Sequence, residues 1–147
     1  MEKIAIIIPS RLNAQRLPNK PLELINNKEM ILHVYDAAEK SKLGKVYVAS
    51  PDQEIIDCVK KSGGTAIMTS IKHETGTDRI FEVFSKTLKN KPDLIINLQG
   101  DMPNIEPGSI KMLCNYMQKK LCDIATLASE FKDKSAIKNI NNVKVLT

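Results

Sequence analysis

Apolar residues along this chain alternate between short unbroken runs and longer stretches with helical spacing. Residues 3–8 form a run apolar on both faces, which predicts a buried strand. Residues 28–40 place Ile31, Val34, Tyr35 and Ala38 on one face and predict a helix. A second strand over 46–49 and a second helix over 52–62 follow, with Ile55, Ile56 and Val59 inward and Gly63-Gly64 as a helix stop. Residues 65–68 predict a third strand, 77–88 a helix carrying Ile80, Val83, Phe84 and Leu88, and 93–98 a fourth doubly apolar strand. A helix over 107–120 opens on Pro107 and turns Ile110, Leu113, Cys114 and Met117 inward. Shorter strand candidates lie at 124–128 and 142–146. Strands alternating with helices of this length predict an α/β fold, a Rossmann-like, mainly parallel sheet with helices on both faces. Residues 1–147 read as one domain. The strand-like ending at 143–147 gives the expectation of a chain truncated at its C-terminus.

Composition narrows this picture only slightly. The charged fraction of 27% and hydrophobic fraction of 42% are those of an ordinary globular protein. The net charge of +5 suits an anionic ligand, but with 4% aromatic residues and no Trp a stacking platform for nucleic acid is not expected. The apolar runs are too short to cross a bilayer, and no leader pattern opens the chain, so a cytoplasmic setting without membrane attachment is expected. Three cysteines without a CxxC pair argue against a disulfide framework or a structural zinc site, and Cys114 reads as core filling. His33 reads as a surface or edge residue without function.

Three segments carry candidate chemistry. After the first strand, residues 9–22 hold Arg11, Arg16 and Lys20, no acid, and three prolines. An open α/β sheet places its ligand at the carboxyl ends of its strands, and converging guanidinium and ammonium groups there suit a triphosphate. A solvated basic loop would have the same composition. Neither GxGxxG nor a Walker-type loop is present, so side-chain cations and backbone amides around Ser10 would hold the phosphates. After the fourth strand, Gln99-Gly100-Asp101 offers either a Mg2+ ligand or a simple Gly-Asp turn, and a full metal site needs another carboxylate elsewhere. In the third segment, His73 to Arg79, Thr75 and Asp78 have capping-box spacing. That spacing leaves His73, Gly76 and Arg79 unexplained.

Taken together and in this order, the segments at 8–22, 73–79 and 97–105 resemble the 3-deoxy-manno-octulosonate cytidylyltransferases. That family reads IPAR-x-x-S-x-RLP-x-KPL, then H-x-SGT-[DE]-R, then N-x-QGDEP-x-I. The resemblance implies a nucleotide-diphospho-sugar transferase type of fold, with transfer of CMP from CTP to an acidic eight-carbon sugar and release of pyrophosphate, for lipopolysaccharide assembly. It implies that Ser10, Arg11 and Lys20 contact the CTP phosphates with Arg16 in support, and that Gln99 and Thr77 lie on the nucleotide side. Asp101 would be a Mg2+ ligand, and residues 68–77 would border the base and ribose, with His73 and Arg79 on the sugar side. Arg11, Lys20 and Asp101 would carry the chemistry by charge neutralisation. The family is homodimeric and continues well beyond the length of this chain, into its sugar-binding and interface segments. Met102 stands where the family has Glu, and Ala49-Ser50-Pro51-Asp52 where it has Ala-Thr-Asp. An acylneuraminate cytidylyltransferase and a non-catalytic CTP-binding remnant are the alternatives.

Overall fold

The computed structural model describes residues 3–13, 19–119, 122–131, 133, 135–140 and 142–145. By contacts the chain groups into two units, Met1–Lys111 and Met112–Thr147, where the sequence reads as one domain. All of the strands among the described residues belong to the first unit.

In that unit, β1 (Ile4–Pro9) leads through a 3-10 turn (Lys20–Leu22) into the two-residue strands β2 (Leu24–Ile25) and β3 (Lys28–Glu29). Asn26 and Asn27 join these strands with φ of 51° and 61°, the left-handed pair that a tight type I′ hairpin needs. Helix α1 (Met30–Ser41), β4 (Lys45–Ser50), α2 (Gln53–Lys61), β5 (Ala66–Met68), α3 (Gly76–Glu82) and β6 (Leu94–Asn97) follow. Four strands form one parallel sheet in the order β5-β4-β1-β6. The chain walks from β1 outward to β5 and then jumps back to the other side of β1. Right-handed crossovers in opposite directions place helices on opposite faces. Ile7 and Ala49 on one sheet face are buried with Ile80 of α3 and with Val83, while Tyr47, Ile67 and Ile95 flank them. On the other face the buried set is Ile6, Ile8, Val46 and Val48, with Ile31, Val34 and Ala38 of α1 and Ile55, Ile56 and Val59 of α2. The expected parallel α/β sheet covered on both faces is thus present. Each fully buried Ile or Val contributes about 1.5–3 kcal/mol of transfer free energy.

Gly63 carries the positive φ (81°) expected of the stop after α2. Thr75 caps α3 as its spacing predicts: its Oγ1 accepts from the Asp78 N–H at 3.1 Å and donates to Asp78 Oδ2 at 2.6 Å. Several expectations differ from the structure. The helix expected over 28–40 begins at Met30, because residues 28 and 29 pair in the hairpin. The helix expected over 77–88 is α only to Glu82 and continues as a π-helical segment, Val83–Thr87, whose apolar spacing the same pattern satisfies.

In the second unit the described residues of 124–128 and 142–146 form no strand. Ile124 and Val143 are 88% and 90% exposed, so neither has the apolar cover or the ladder partner that holds a strand. Helix α4 (Pro107–Lys119) runs across the division and α5 (Ser135–Lys138) is a single turn. Cys114 is buried, as expected of core filling, and among the described residues Cys58, Cys114 and Cys122 form no disulfide. No helix among the described residues is long and apolar enough to cross a membrane.

Candidate functional site

The strand order reverses at β1 and β6, and the carboxyl ends of these two neighbours open into a cleft of about 760 Å³. A crevice at such a reversal is where an open α/β sheet binds its ligand. Three sets of residues line it: Ser10, Arg11 and Lys20 from the basic loop, Gln99, Gly100 and Asp101 after β6, and His73 to Gly76 with Arg79 at the start of α3. The three segments that the sequence singles out, distant from one another along the chain, therefore share one cavity.

Backbone bonds fix the ends of the basic loop. Ser10 is buried and its N–H donates to the Ala49 carbonyl at 2.9 Å, carrying the β1–β4 ladder one residue further. The Leu12 N–H donates to Asp52 Oδ2 at 2.7 Å, and the Asn19 N–H returns to the Leu12 carbonyl at 3.1 Å. That last bond closes the loop at its neck, so Arg11 and Lys20 flank one opening. Arg16 lies outside the described residues. On the β6 side, Leu98 N–H reaches the Ile7 carbonyl at 3.1 Å and extends the other ladder toward Asp101.

Two glycines make room between these walls. A Cβ on Gly100 would stand 3.0 Å from the Pro9 carbonyl oxygen, and one on Gly76 would stand 3.1 Å from Pro9 Cγ. Both serve the close approach of the neighbouring segments to the end of β1, which accounts for the Gly76 that a capping box does not require.

Lys20 Nζ lies 3.2 Å from Asp101 Oδ2, and both side chains are solvent-accessible. The ammonium and the carboxylate that the sequence nominates thus pair with each other across the cleft. Among the described residues no three His, Cys, Asp or Glu side chains gather as a metal cage, so Asp101 offers one hard oxygen ligand. A single carboxylate suits a Mg2+ ion that takes its other ligands from phosphate and water, and does not suit a cation held by protein alone. Gln99 is exposed with its Nε2 donating to Asn97 Oδ1 at 3.0 Å. Thr77 is exposed on the first turn of α3 and is not among the residues lining the cleft.

Arg79 is 3% exposed. Its Nη1 donates to Thr69 Oγ1 and, at 3.1 Å, to the Ser70 carbonyl. Burial lowers its pKa and the nearby Arg11 charge lowers it further, while Asp52 and Glu82 act in the opposite sense. One turn later Glu82 Oε2 accepts from the Ser70 N–H at 2.8 Å and lies 2.6 Å from His73 Nε2. Lys86 reaches the other carboxylate oxygen at 3.3 Å. The Ser70 bond first, then those of His73 and Lys86, lower the Glu82 carboxyl from 4.5 to about 2. A carboxyl depressed on folding contributes its full stabilisation above its unfolded value and loses it as pH falls through the folded one. The stability gap between wild type and Glu82→Gln should therefore be about 2 kcal/mol above pH ~5 and close as pH falls toward ~2, read by urea unfolding. A gap that does not change with pH would refute this account of the carboxylate.

Asp52 and Glu82 are functional candidates that sequence reasoning misses. Asp52 is visible only as the start of α2, and Glu82 sits on the polar side of an amphipathic helix; their partners lie 40 and 12 residues away. His33 bonds the Ile25 carbonyl through Nε2 at 2.8 Å, at the hairpin, in keeping with an edge residue.

Comparison with known proteins adds the family. The cytidylyltransferase family profile matches residues 5–147. The 3-deoxy-manno-octulosonate cytidylyltransferase of Nitrobacter winogradskyi is 41% identical over 142 residues, covering 96% of this chain and 56% of that protein. Its counterpart from Brucella ovis is 41% identical over 145 residues, covering 98% and 58%. The solved structure of a CMP:2-keto-3-deoxy-manno-octonic acid synthetase complexed with CTP superposes with a TM-score of 0.75 at 43% identity, over 80% of this chain and 48% of that one. The chain thus spans little more than half the length of the curated relatives it matches. A parallel sheet reversing at β1 and β6, a cleft at that reversal and a profile match over nearly every residue lead to one assignment: the chain belongs to the cytidylyltransferase family.

Proposed function

We propose that this chain binds CTP in the cleft and provides the nucleotide half of a 3-deoxy-D-manno-octulosonate cytidylyltransferase. In the reaction an anomeric hydroxyl oxygen of the sugar attacks the α-phosphorus of CTP. The bond from that phosphorus to the β-phosphate bridge breaks, the hydroxyl proton is lost, and pyrophosphate leaves. The work asked of the protein is alignment and charge neutralisation, with no covalent catalyst. Ser10, Arg11 and Lys20 would bind the phosphates, with Arg16 in support, and Gln99 would contact the nucleotide. Asp101 would hold Mg2+, which supplies further neutralisation of the phosphate charge when bound. His73 and its neighbours would form the wall facing the nucleoside and sugar. The acidic sugar acceptor, a homodimeric assembly and a cytoplasmic setting belong to the same proposal.

The observation that carries it is the convergence of Arg11, Lys20 and Asp101 on one cleft at the strand-order reversal. The similarity to a synthetase solved with CTP supports the choice of nucleotide. Calorimetric titration of CTP in the presence of Mg2+, with ATP and GTP alongside, tests the reading. Saturable binding selective for CTP is expected, and a folded chain that binds none of the three overturns it.

A further inference from the structure

Within the cleft, charge is unevenly assigned. Arg11 and Lys20 stand on the side of the basic loop, and Lys20 is accessible, with the exposed Asp101 beside it. The opposite wall, His73 to Gly76, has side-chain donors nearby, and internal partners engage two of them. Arg79 is buried and spends its Nη1 on Thr69 and Ser70, and His73 turns its Nε2 to Glu82. The exposed Glu74 adds a negative charge to this wall.

The wall is held by an unusual grip on one residue. The N–H of Ser70 is taken by Glu82 Oε2 at 2.8 Å and its carbonyl by Arg79 Nη1 at 3.1 Å. Arg79 and Glu82 are three residues apart on α3, hence neighbours on one helix face. The same Glu82 oxygen reaches His73, and Thr75 then caps α3 through Asp78. The segment from Thr69 to Thr75 is thereby a closed loop tied back to the helix at both ends. We infer that Glu82 is a positioning residue: it sets the wall from Thr69 to Gly76 against the nucleoside and keeps His73 Nε2 turned away from the phosphates, so that the nucleotide enters with its triphosphate toward Arg11 and Lys20. This inference rests on the CTP reading above. Glu82 is not among the residues lining the cleft, and acts through Ser70 and His73.

The test compares two ligands on the full 147-residue chain, CTP and inorganic tripolyphosphate, each with Mg2+. Glu82→Ala is expected to weaken CTP about tenfold while changing tripolyphosphate less than about twofold, because only CTP carries a nucleoside to meet the wall. Glu82→Gln keeps an oxygen for the Ser70 N–H and should recover part of the loss. Hydrogen exchange at the Ser70 amide should accelerate in Glu82→Ala and stay slow in Glu82→Gln. Equal loss of both ligands in a folded variant means a general structural role and overturns the inference. Unchanged CTP binding in Glu82→Ala overturns it too. If Glu82→Ala does not fold, Glu82→Gln decides: a loss confined to CTP supports the inference, and loss of both ligands or of neither overturns it. Wild-type chain that binds neither ligand removes the CTP reading itself, and with it this deepening of that reading.

Discussion

Lys20→Ala should weaken Mg2+-supported CTP binding by about tenfold to a hundredfold, the range that follows from losing a charge-assisted hydrogen bond to phosphate. The sharper result concerns its partner. In the cleft Lys20 Nζ sits 3.2 Å from Asp101 Oδ2, so the ammonium is engaged by the carboxylate. Without metal, that carboxylate both holds Lys20 and opposes the incoming phosphates. Asp101→Asn should therefore tighten CTP binding in metal-free buffer and weaken it when Mg2+ is present, because under the proposed function the same substitution removes a metal ligand. Calorimetry of the two variants with and without Mg2+ reads both signs. If Asp101→Asn weakens binding in both buffers alike, the carboxylate acts as something other than a metal ligand competing for Lys20. Lys20→Arg should recover only part of the loss, since a planar guanidinium does not replace a compact ammonium.

Gly44→Ala should destabilise the fold by about 3 kcal/mol or more, a drop of roughly 10 °C in Tm. A Cβ there would lie 2.0 Å from the carbonyl oxygen and 2.7 Å from the carbonyl carbon of Ile4. These are backbone atoms at the start of β1, one residue before the Ala5↔Lys45 pair that opens the β1–β4 ladder. No rotamer change relieves the clash, so the two strands must splay at the point where their pairing begins. Two other glycines calibrate the result. At Gly63 nothing lies within 4 Å, so Gly63→Ala meets only its positive φ of 81° and should cost about 1 kcal/mol. Gly108 in α4 also has open space, and Gly108→Ala should be neutral or slightly stabilising. Thermal melts of the three variants should rank Gly44→Ala far below the others; a Gly44→Ala protein melting with Gly63→Ala would contradict the close approach.

Much of the sheet is legible in the sequence because β1 is central, between β4 and β6, and β1 and its neighbour β6 are apolar runs without alternation, a pattern that surface strands do not share. The hairpin of β2 and β3 is not, since two residues per strand are too few to show alternation, although Asn26-Asn27 is the turn signal that could mark it. The strands expected at 124–128 and 142–146 fail because apolar spacing states which side could be buried, not whether a partner strand exists. The site divides in the same way. Cations, the Gly-Asp turn and the helix cap are local patterns, and they meet in one cleft. Arg79 is also local, but its buried guanidinium faces Thr69 and Ser70, an arrangement that depends on how α3 docks. Asp52 and Glu82 act on backbone groups far away in sequence, and no local pattern announces such a bond.

The placement of β1 between β4 and β6 also sets an order of events during folding. Lys3 N–H meets Asp93 Oδ2 across 90 residues of chain, whereas β1, β4 and β5 can pair as soon as Met68 is available. Long-range pairing is the slow step in such topologies. Until it occurs, β1 presents a bare, fully apolar edge, the kind of surface that recruits other chains. A nascent polypeptide halted before Asn97 would already carry Arg11 and Lys20, yet it would have no Asp101 and no cleft for a nucleotide to enter.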